Sequence, residues 1–280
     1  MSDLPGDSMS DRACAAFLQW ALPRVELRWA GFRRVRGQVC KRLKRRLKAL
    51  GLEGFAEYRL RLERDPSEWQ RLDEACRITI SRFYRDRGVF GGLQDCVLPS
   101  LARKAGSDGR SLIRCWSAGC ASGEEVYSLK IVWDLTLAAR FPSLDLSIIG
   151  TDIDDIVLSR ARAASYARSS LGELPEAFVP QAFERRGELW NVRGVHRRGV
   201  TFLRQDLRQE APAGPFDLVL CRNVAFTYFA PDLQRSVSAR IATVLAPGGY
   251  LIIGAHEAMP EDTLAFESYS GSHQVCRQPD

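Results

Sequence analysis

From about residue 87 onward, short apolar runs alternate with helical ones, and no other feature constrains the fold of this chain as tightly. The apolar runs are LIRCWSA, LDLSIIGTD, VTFLRQDL, FDLVLCRNV and GYLIIGA. Between them lie EEVYSLKIVWDLTLAARF, DDIVLSRARAASY and a helical stretch from about Asp232 to Leu245. Short apolar strands spaced by helices predict a mostly parallel sheet covered on both faces, an α/β fold. Residues 165–199, rich in Arg and Gly, interrupt the rhythm and are expected to form a small inserted subdomain.

The pattern before residue 87 is different. Residues 1–12 read as a disordered tail, and residues 13–86 as a helical module without strands. In VRGQVCKRLKRRLKAL, Val35, Val39, Leu43, Leu47 and Leu50 form one apolar stripe at helical spacing, ended by Gly51. The same stretch is basic: residues 24–48 hold eleven Lys or Arg against the single acid Glu26, while the whole chain carries only +6. Such a face calls for an acidic partner, whether protein, nucleic acid or membrane surface, and its bland alternative is a solvated helix face.

Composition excludes several classes. No run reaches the ~18 apolar residues of a membrane helix. The polar, acidic start MSDLPGDSMSDR is unlike a signal peptide, so a cytoplasmic location is expected. The eight cysteines, at 14, 40, 76, 96, 115, 120, 221 and 276, contain no CxxC pair. They are expected to be free thiols, and no metal site is expected.

The chemistry is concentrated in WSAGCASGEE, residues 116–125, where a strand runs into a small-residue loop and then two adjacent acids. In doubly wound folds ligands sit at the carboxyl ends of strands. A dinucleotide loop needs G-x-G-x-x-G, whereas Gly119 and Gly123 stand four apart; a P-loop needs Gly-Lys-Ser/Thr, which is absent. Carboxylates at the helix start repel phosphate and suit a cation, although a purely capping role for Glu124 is compatible with that geometry. The ligand implied lacks phosphate and carries positive charge, as S-adenosylmethionine does. Asp152, ending LDLSIIGTD, is placed to accept hydrogen bonds from a ribose diol.

These motifs resemble those of the CheR family, the chemotaxis-receptor glutamate O-methyltransferases. WSAGCASGEEVYS resembles the family's donor loop and GTDID its second-strand signature. CRNV and LAPGGYLIIGAHE resemble its fourth- and fifth-strand motifs, KRLKRRLKALGLEGFAEYRLRLERD its basic helical module, and TISRFYRD the joining segment. The resemblance runs from about residue 30 to 276. It implies a small N-terminal helical domain followed by a Rossmann-like, mostly parallel methyltransferase domain over residues 87–280. S-adenosyl-L-methionine is then the donor and S-adenosyl-L-homocysteine the product.

The resemblance also implies site residues. Arg85 would lie beside the transferring methyl and the acceptor carboxylate, with Tyr228 adding a hydrogen bond. Thr79, Ser81, Ala118, Gly119, Glu124, Asp152, Asn223 and Val224 would hold the donor, with Asp206 and Leu207 near the adenine. Arg42, Lys44, Arg45 and Arg46 would face the acidic helices of a receptor-like protein; nucleic acid ranks behind, because no aromatic residues interleave with the basic run.

Three departures fall on the acceptor side. Thr79 stands where Asn is usual and Ser81 where Thr is usual. One extra residue separates CRNV from Tyr228, and GAHE replaces GHSE, which moves His256 by one position. They leave open a different acceptor, small molecule or other protein, and, more remotely, a donor-binding regulator without catalysis. As a base, His256 would serve an alcohol, amine or thiol acceptor; a lone histidine at a strand end more often only bonds locally.

Overall fold

A computed structural model describes residues 9–260, 266–269 and 272–279. The first eight residues, part of the expected disordered tail, lie outside them. The chain divides into two compact units, residues 1–78 together with 227–233, and residues 79–226 together with 234–280. The segment TISRFYRD thus groups with the second unit.

The first unit is helical: α1 (Asp11–Ala21), a single turn α2 (Trp29–Phe32), α3 (Arg36–Ala49), α4 (Phe55–Arg64) and α5 (Pro66–Cys76). Local chemistry sets the ends. The Ser10 side chain accepts from the Ala13 N–H at 3.1 Å and caps α1. Asp65 caps α5 by accepting from Ser67 N–H at 3.0 Å, with Pro66 at the first helical position. Gly51, at φ +68, ends α3, and the Leu52 N–H reaches back to the Leu47 carbonyl at 3.0 Å. Val39, Leu43 and Leu47 of the expected stripe are fully buried, whereas Val35 and Leu50 cap the helix ends.

Two features were not visible in the spacing. Cys14 of α1 and Cys40 of α3 form a disulfide, which corrects the expectation of eight free thiols. Both sulfurs sit on buried helix faces that packing brings together, a proximity that a separation of 26 residues does not announce. Residues 227–233 also join this unit: the Arg28 N–H donates to the Tyr228 carbonyl at 2.8 Å and the Ala230 N–H to the Glu26 carbonyl at 2.7 Å. A Cβ on Gly31 would lie 2.1 Å from the Thr227 carbonyl oxygen, so only glycine permits this approach.

The second unit begins with a helical run of α6 (Arg87–Gly92), a π-turn over Leu93–Val97, and α7 (Leu98–Ser107). Then come β1 (Leu112–Ala118), α8 (Glu124–Val132), β2 (Asp145–Asp152), α9 (Asp155–Ala163), β3 (Ser165–Ala167), α10 (Val179–Ala182), β4 (Phe183–Arg186) and β5 (Leu189–Val192). After these follow β6 (Val200–Arg204), β7 (Phe216–Leu220), α11 (Ala225–Tyr228) and α12 (Pro231–Val244), whose residues 227–233 group with the first unit, then β8 (Leu245–Ile252), β9 (Glu267–Tyr269) and β10 (Ser272–Arg277).

The main sheet has the order β6-β2-β1-β7-β8-β10-β9. Strands β6, β2, β1, β7 and β8 run parallel, and β10 and β9 add antiparallel pairs. Parallel strands covered on both faces need continuous apolar runs, and β7, FDLVL, is buried at every position. From β1 the chain leaves to β2 on one side and reaches β7 on the other, so the carboxyl end of β1 is the switch point of the sheet.

The insert forms its own antiparallel sheet, β3-β5-β4. Phe83 of the joining segment packs edge-on against Tyr166 of β3 and Phe183 of β4, with ring centroids at 4.8 and 5.0 Å. Its N–H donates to the Ser170 carbonyl at 3.0 Å. The insert therefore buttresses the segment that carries Arg85. At its exit, buried His196 bonds Asp134 through Nδ1 at 2.7 Å, and Lys130 of α8 holds the other Asp134 oxygen at 2.6 Å.

One buried network anchors the helical unit. Glu68 is 2% exposed; it receives Arg46 through two bonds, at 2.9 and 2.6 Å, and the Tyr58 hydroxyl at 2.8 Å. Leaving such groups unpaired costs about 1–3 kcal/mol, so Glu68→Gln should destabilise the unit by that order. The Arg46 hydrogen bond, opposed by burial and reinforced by Tyr58, holds the Glu68 carboxyl below its usual range. A lowered carboxyl stabilises fully above its unfolded pKa of ~4.3 and loses that contribution as pH falls through the folded value. Thermal unfolding of the wild type should therefore lose more midpoint between about pH 6 and pH 3 than Glu68→Gln does; equal losses would refute the network's role.

Candidate functional site

Four strand ends converge at one edge of the second unit. Ala118 ends β1, Asp152 ends β2, and Asp206 and Leu207 follow β6, tied in by a Gln205 N–H bond to the Asp152 carbonyl at 3.1 Å. CRNV follows β7. The loop after β1 is held by its neighbour strand: the N–H groups of Gly119 and Cys120 both donate to the Thr151 carbonyl, at 2.8 and 2.9 Å. Trp116 Nε1 donates to the Thr151 hydroxyl at 2.9 Å, and Tyr166 of the insert donates to the Ser122 carbonyl at 2.7 Å.

Glycine is required here by both conformation and space. Gly119 has φ +73, and a Cβ on it would meet Val224 Cγ1 at 3.0 Å. Gly123 has φ +87, and a Cβ on it would meet the Ala161 Cβ at 2.9 Å. Among the described residues six non-glycines have positive φ, and Tyr84, Asp86, Ala121 and Asn223 of these flank Arg85 or lie in the loops at the strand ends. Such residues persist only where the surroundings over-determine them, and they gather at functional sites.

The two acids at the start of α8 have opposite fates. Glu125 is occupied: Ser117 Oγ donates to one oxygen at 2.7 Å and Arg222 Nη1 to the other at 3.0 Å. Glu124 is 5% exposed; the neighbouring Ser81 hydroxyl favours its charged form, yet its Oε2 is buried with no hydrogen-bond partner. Burial raises its pKa above the ordinary value. An orphaned carboxylate oxygen in this position suits an incoming cation. Asp152 accepts from the Ala121 N–H through Oδ2 at 2.9 Å and from the Asp154 N–H through Oδ1 at 3.0 Å. An ionised carboxylate has about four acceptor positions, so room remains for a diol. Burial raises this carboxyl too.

Arg85 is half-buried. Its Nη1 donates to the Ile80 carbonyl at 3.1 Å and its Nη2 to Asn223 Oδ1 at 3.4 Å, a long hydrogen bond. Arg222, buried to 1% of its side chain, holds the Arg85 carbonyl and the Asp86 carboxylate through Nη2, both at 2.8 Å.

The structure thus brings together Ser81, Arg85, Ala118, Gly119, Glu124, Asp152, Asn223 and Val224, with half-buried Thr79 two residues before Ser81. Asp206 is at the same edge, but Arg208 covers its carboxylate through Nε and Nη2 at 2.9–3.1 Å, so the acceptor expected to face an adenine is already engaged. The Leu207 carbonyl receives Arg240 at 3.0 Å. Tyr228 belongs to the other unit, where its ring lies 5.0 Å from Phe32, and so do the four basic candidates. His256 is exposed. Burial holds the Cys120 and Cys221 thiols well above their ordinary range, which disfavours the thiolate at both. Sequence reasoning missed Arg222; the signal was a basic residue directly after the apolar stretch LVLC in FDLVLCRNV.

Comparison with known proteins decides what the site is built for. Residues 79–275 match the S-adenosylmethionine-binding domain of CheR methyltransferases, and residues 35–75 match the all-alpha domain of the same family. The chain belongs to the CheR methyltransferase family. A chemotaxis protein methyltransferase of Listeria monocytogenes is 32% identical over 203 residues, covering 72% of this chain and 74% of that one. A protein of Rhizobium etli described as a probable chemotaxis protein methyltransferase is 34% identical over 226 residues, 78% of this chain and 83% of the relative. An uncharacterised 104.1 kDa protein of Rhodobacter capsulatus is 31% identical over 241 residues; this chain spans 25% of its length. S-adenosylmethionine is the methyl donor of this family domain, and the site fits it: an unsatisfied buried carboxylate for its ammonium, spare acceptor positions at Asp152, and no basic residue on the loop to hold a phosphate.

A cation at this position would bind Glu124 in its ionised form. Because burial raises this carboxyl, donor affinity should be full above the raised pKa and decline as pH falls through it, at higher pH than an ordinary glutamate would give. Calorimetry in two buffers of different protonation heat should show proton release on binding at mildly acidic pH. Glu124→Gln should remove that release and weaken binding about ten- to a hundredfold, the loss of one charge-assisted bond of ~1.5–3 kcal/mol. Unchanged affinity would remove Glu124 from donor binding.

Proposed function

We propose that this CheR-family protein transfers the methyl group of S-adenosylmethionine to glutamate side-chain carboxylates of a chemoreceptor-like protein. The observation that carries the reading is Arg85: a guanidinium beside the strand-end site, held at its backbone by Arg222 and at its head by Asn223. A planar fork fixed in this way can take a carboxylate by two parallel bonds and set its direction.

The chemistry needs little more. The acceptor carboxylate, with a reference pKa of ~4.3, is already ionised at neutral pH and requires no base. One of its oxygens attacks the methyl carbon while the carbon–sulfur bond breaks; the sulfonium becomes the neutral thioether of S-adenosylhomocysteine and the acceptor a methyl ester. The protein's task is alignment and partial desolvation of two oppositely charged reactants. Glu124 would hold the donor ammonium, Asp152 the ribose diol, and Gly119 with Val224 the close wall. The residues proposed to line the donor are Thr79, Ser81, Arg85, Ala118, Gly119, Glu124, Asp152, Asp206, Leu207, Asn223 and Val224; of these, Arg85 would face the transferring methyl and the acceptor and add little to donor affinity. The protein would work in the cytoplasm.

The partner surface is narrower than the basic composition suggests. Arg42 turns inward and donates to the carbonyls of Ala75 and Arg77, and Arg46 is spent on buried Glu68. Lys41, Lys44, Arg45 and Lys48 share the opposite face of α3 and line a recess of about 380 Å³ together with Asp11 and Cys40. Lys44 is paired with Asp11 at 2.8 Å, whereas Lys41, Arg45 and Lys48 are exposed. This face suits an acidic helix presenting carboxylates at successive turns.

Two outcomes test the reading. Purified protein with methyl-labelled S-adenosylmethionine should place alkali-labile label on a membrane protein of the source cell, and Arg85→Ala should abolish nearly all transfer while leaving donor affinity intact. Alkali-stable label, or label confined to small molecules, would overturn the acceptor. Replacing Lys41, Arg45 and Lys48 by Glu should raise KM for the protein acceptor with kcat little changed, and the wild type's KM should rise with salt. Replacing Arg42 should not reproduce that effect.

A further inference from the structure

The GAHE turn after β8 draws attention in the sequence for its histidine, but the structure turns His256 to solvent and Glu257 inward. Glu257 is 6% exposed. Its Oε2 accepts two backbone N–H groups, from Asn223 at 2.8 Å and from Gly254 at 2.6 Å. The packing is tight enough that a Cβ on Gly254 would lie 2.7 Å from that oxygen and 3.1 Å from Asn223 Oδ1. Asn223 has φ +57, a left-handed conformation that asparagine tolerates better than most residues but that is still held against a cost. In that conformation its Oδ1 meets Arg85 Nη2. A buried carboxylate accepting two main-chain N–H groups is a firm attachment point, and here it grips the strained residue itself.

We propose that Glu257 is a positioning residue for methyl transfer: by clamping the Asn223 amide it locks the left-handed turn that aims Asn223 Oδ1 at the Arg85 guanidinium, and so sets the direction Arg85 offers to the acceptor. The inference rests on the role given to Arg85 above. It assigns Glu257 no contact with either reactant.

The test has an arm that needs no acceptor. In amide spectra of the full chain, the Asn223 and Gly254 protons should move upfield in Glu257→Ala, as amides leaving a carboxylate do, and the Arg85 Nε–H signal should move with them. In the transfer assay with receptor-containing membranes, Glu257→Ala should lower kcat about tenfold or more, with affinity for S-adenosylhomocysteine and KM for the donor within about threefold. Glu257→Gln keeps an oxygen able to accept both N–H groups and should retain most of the rate. In an Asn223→Ala background, Glu257→Ala should cause no further loss, because the two residues act in series. An unmoved Arg85 signal, additive losses, or donor affinity falling in step with kcat would each overturn the proposal. If the alanine variant does not fold, the glutamine variant's smaller shifts at Asn223 and Arg85 decide it by the same signals. Membranes left unlabelled by the wild type would defeat the acceptor reading alone, since the spectra still judge Glu257.

Discussion

The buried guanidinium of Arg222 is the interaction on which the functional edge of the second unit depends. An unpaired cation at 1% exposure would cost several kcal/mol. It is matched instead by the Asp86 and Glu125 carboxylates and by the Arg85 carbonyl, at 2.8, 3.0 and 2.8 Å. Those partners come from the joining segment and from the first turn of α8, while Arg222 itself follows β7. One charge therefore ties three distant stretches into a single arrangement. It also explains why two adjacent glutamates do opposite work. Successive helix positions point about 100° apart, so Glu125 faces Arg222 while Glu124 faces the Ser81 side with an oxygen left open.

Around this charge the backbone is held in conformations it would not choose. Tyr84 and Asp86 bracket Arg85 with positive φ, and Ala121 and Asn223 do the same in the donor loop and after β7. Each is fixed by a specific bond: Ser128 Oγ takes the Tyr84 N–H at 2.8 Å, Asp152 the Ala121 N–H, Glu257 the Asn223 N–H, and Arg222 the Asp86 side chain. Rigid placement is what a methyl transfer demands, because its barrier falls steeply with the alignment of donor and acceptor. The insert contributes to the same end by packing Tyr166 and Phe183 against Phe83.

The helical unit shows how charge composition and charge presentation differ. α3 is basic everywhere outside its apolar stripe, yet its two central arginines close the unit's own interior, while Lys41, Lys44, Arg45 and Lys48 share an outward face. The Cys14–Cys40 link and the Asp11–Lys44 pair lie along the same contact of α1 with α3, one turn apart on each helix. In a reducing compartment the two sulfurs would pack there as small buried thiols.

Much of this was legible in the residues. The alternation of apolar and helical runs required a covered parallel sheet, because such runs can be buried only on both faces. The glycines and acids of WSAGCASGEE excluded a phosphate ligand on charge alone, and Asp152 was marked by its place at a strand end. These are local properties, carried by neighbours in sequence. What the sequence left open was which of several like residues faces where. That Glu124 is open and Glu125 occupied, that Arg42 and Arg46 turn inward, that Cys14 meets Cys40, and that Glu257 rather than His256 reaches the site all depend on partners 22 to 97 positions away. Residue type and spacing determined the fold and the class of ligand. Only tertiary packing, which decides the partner of each buried charge and hence which groups remain unsatisfied, determined the working face of the site.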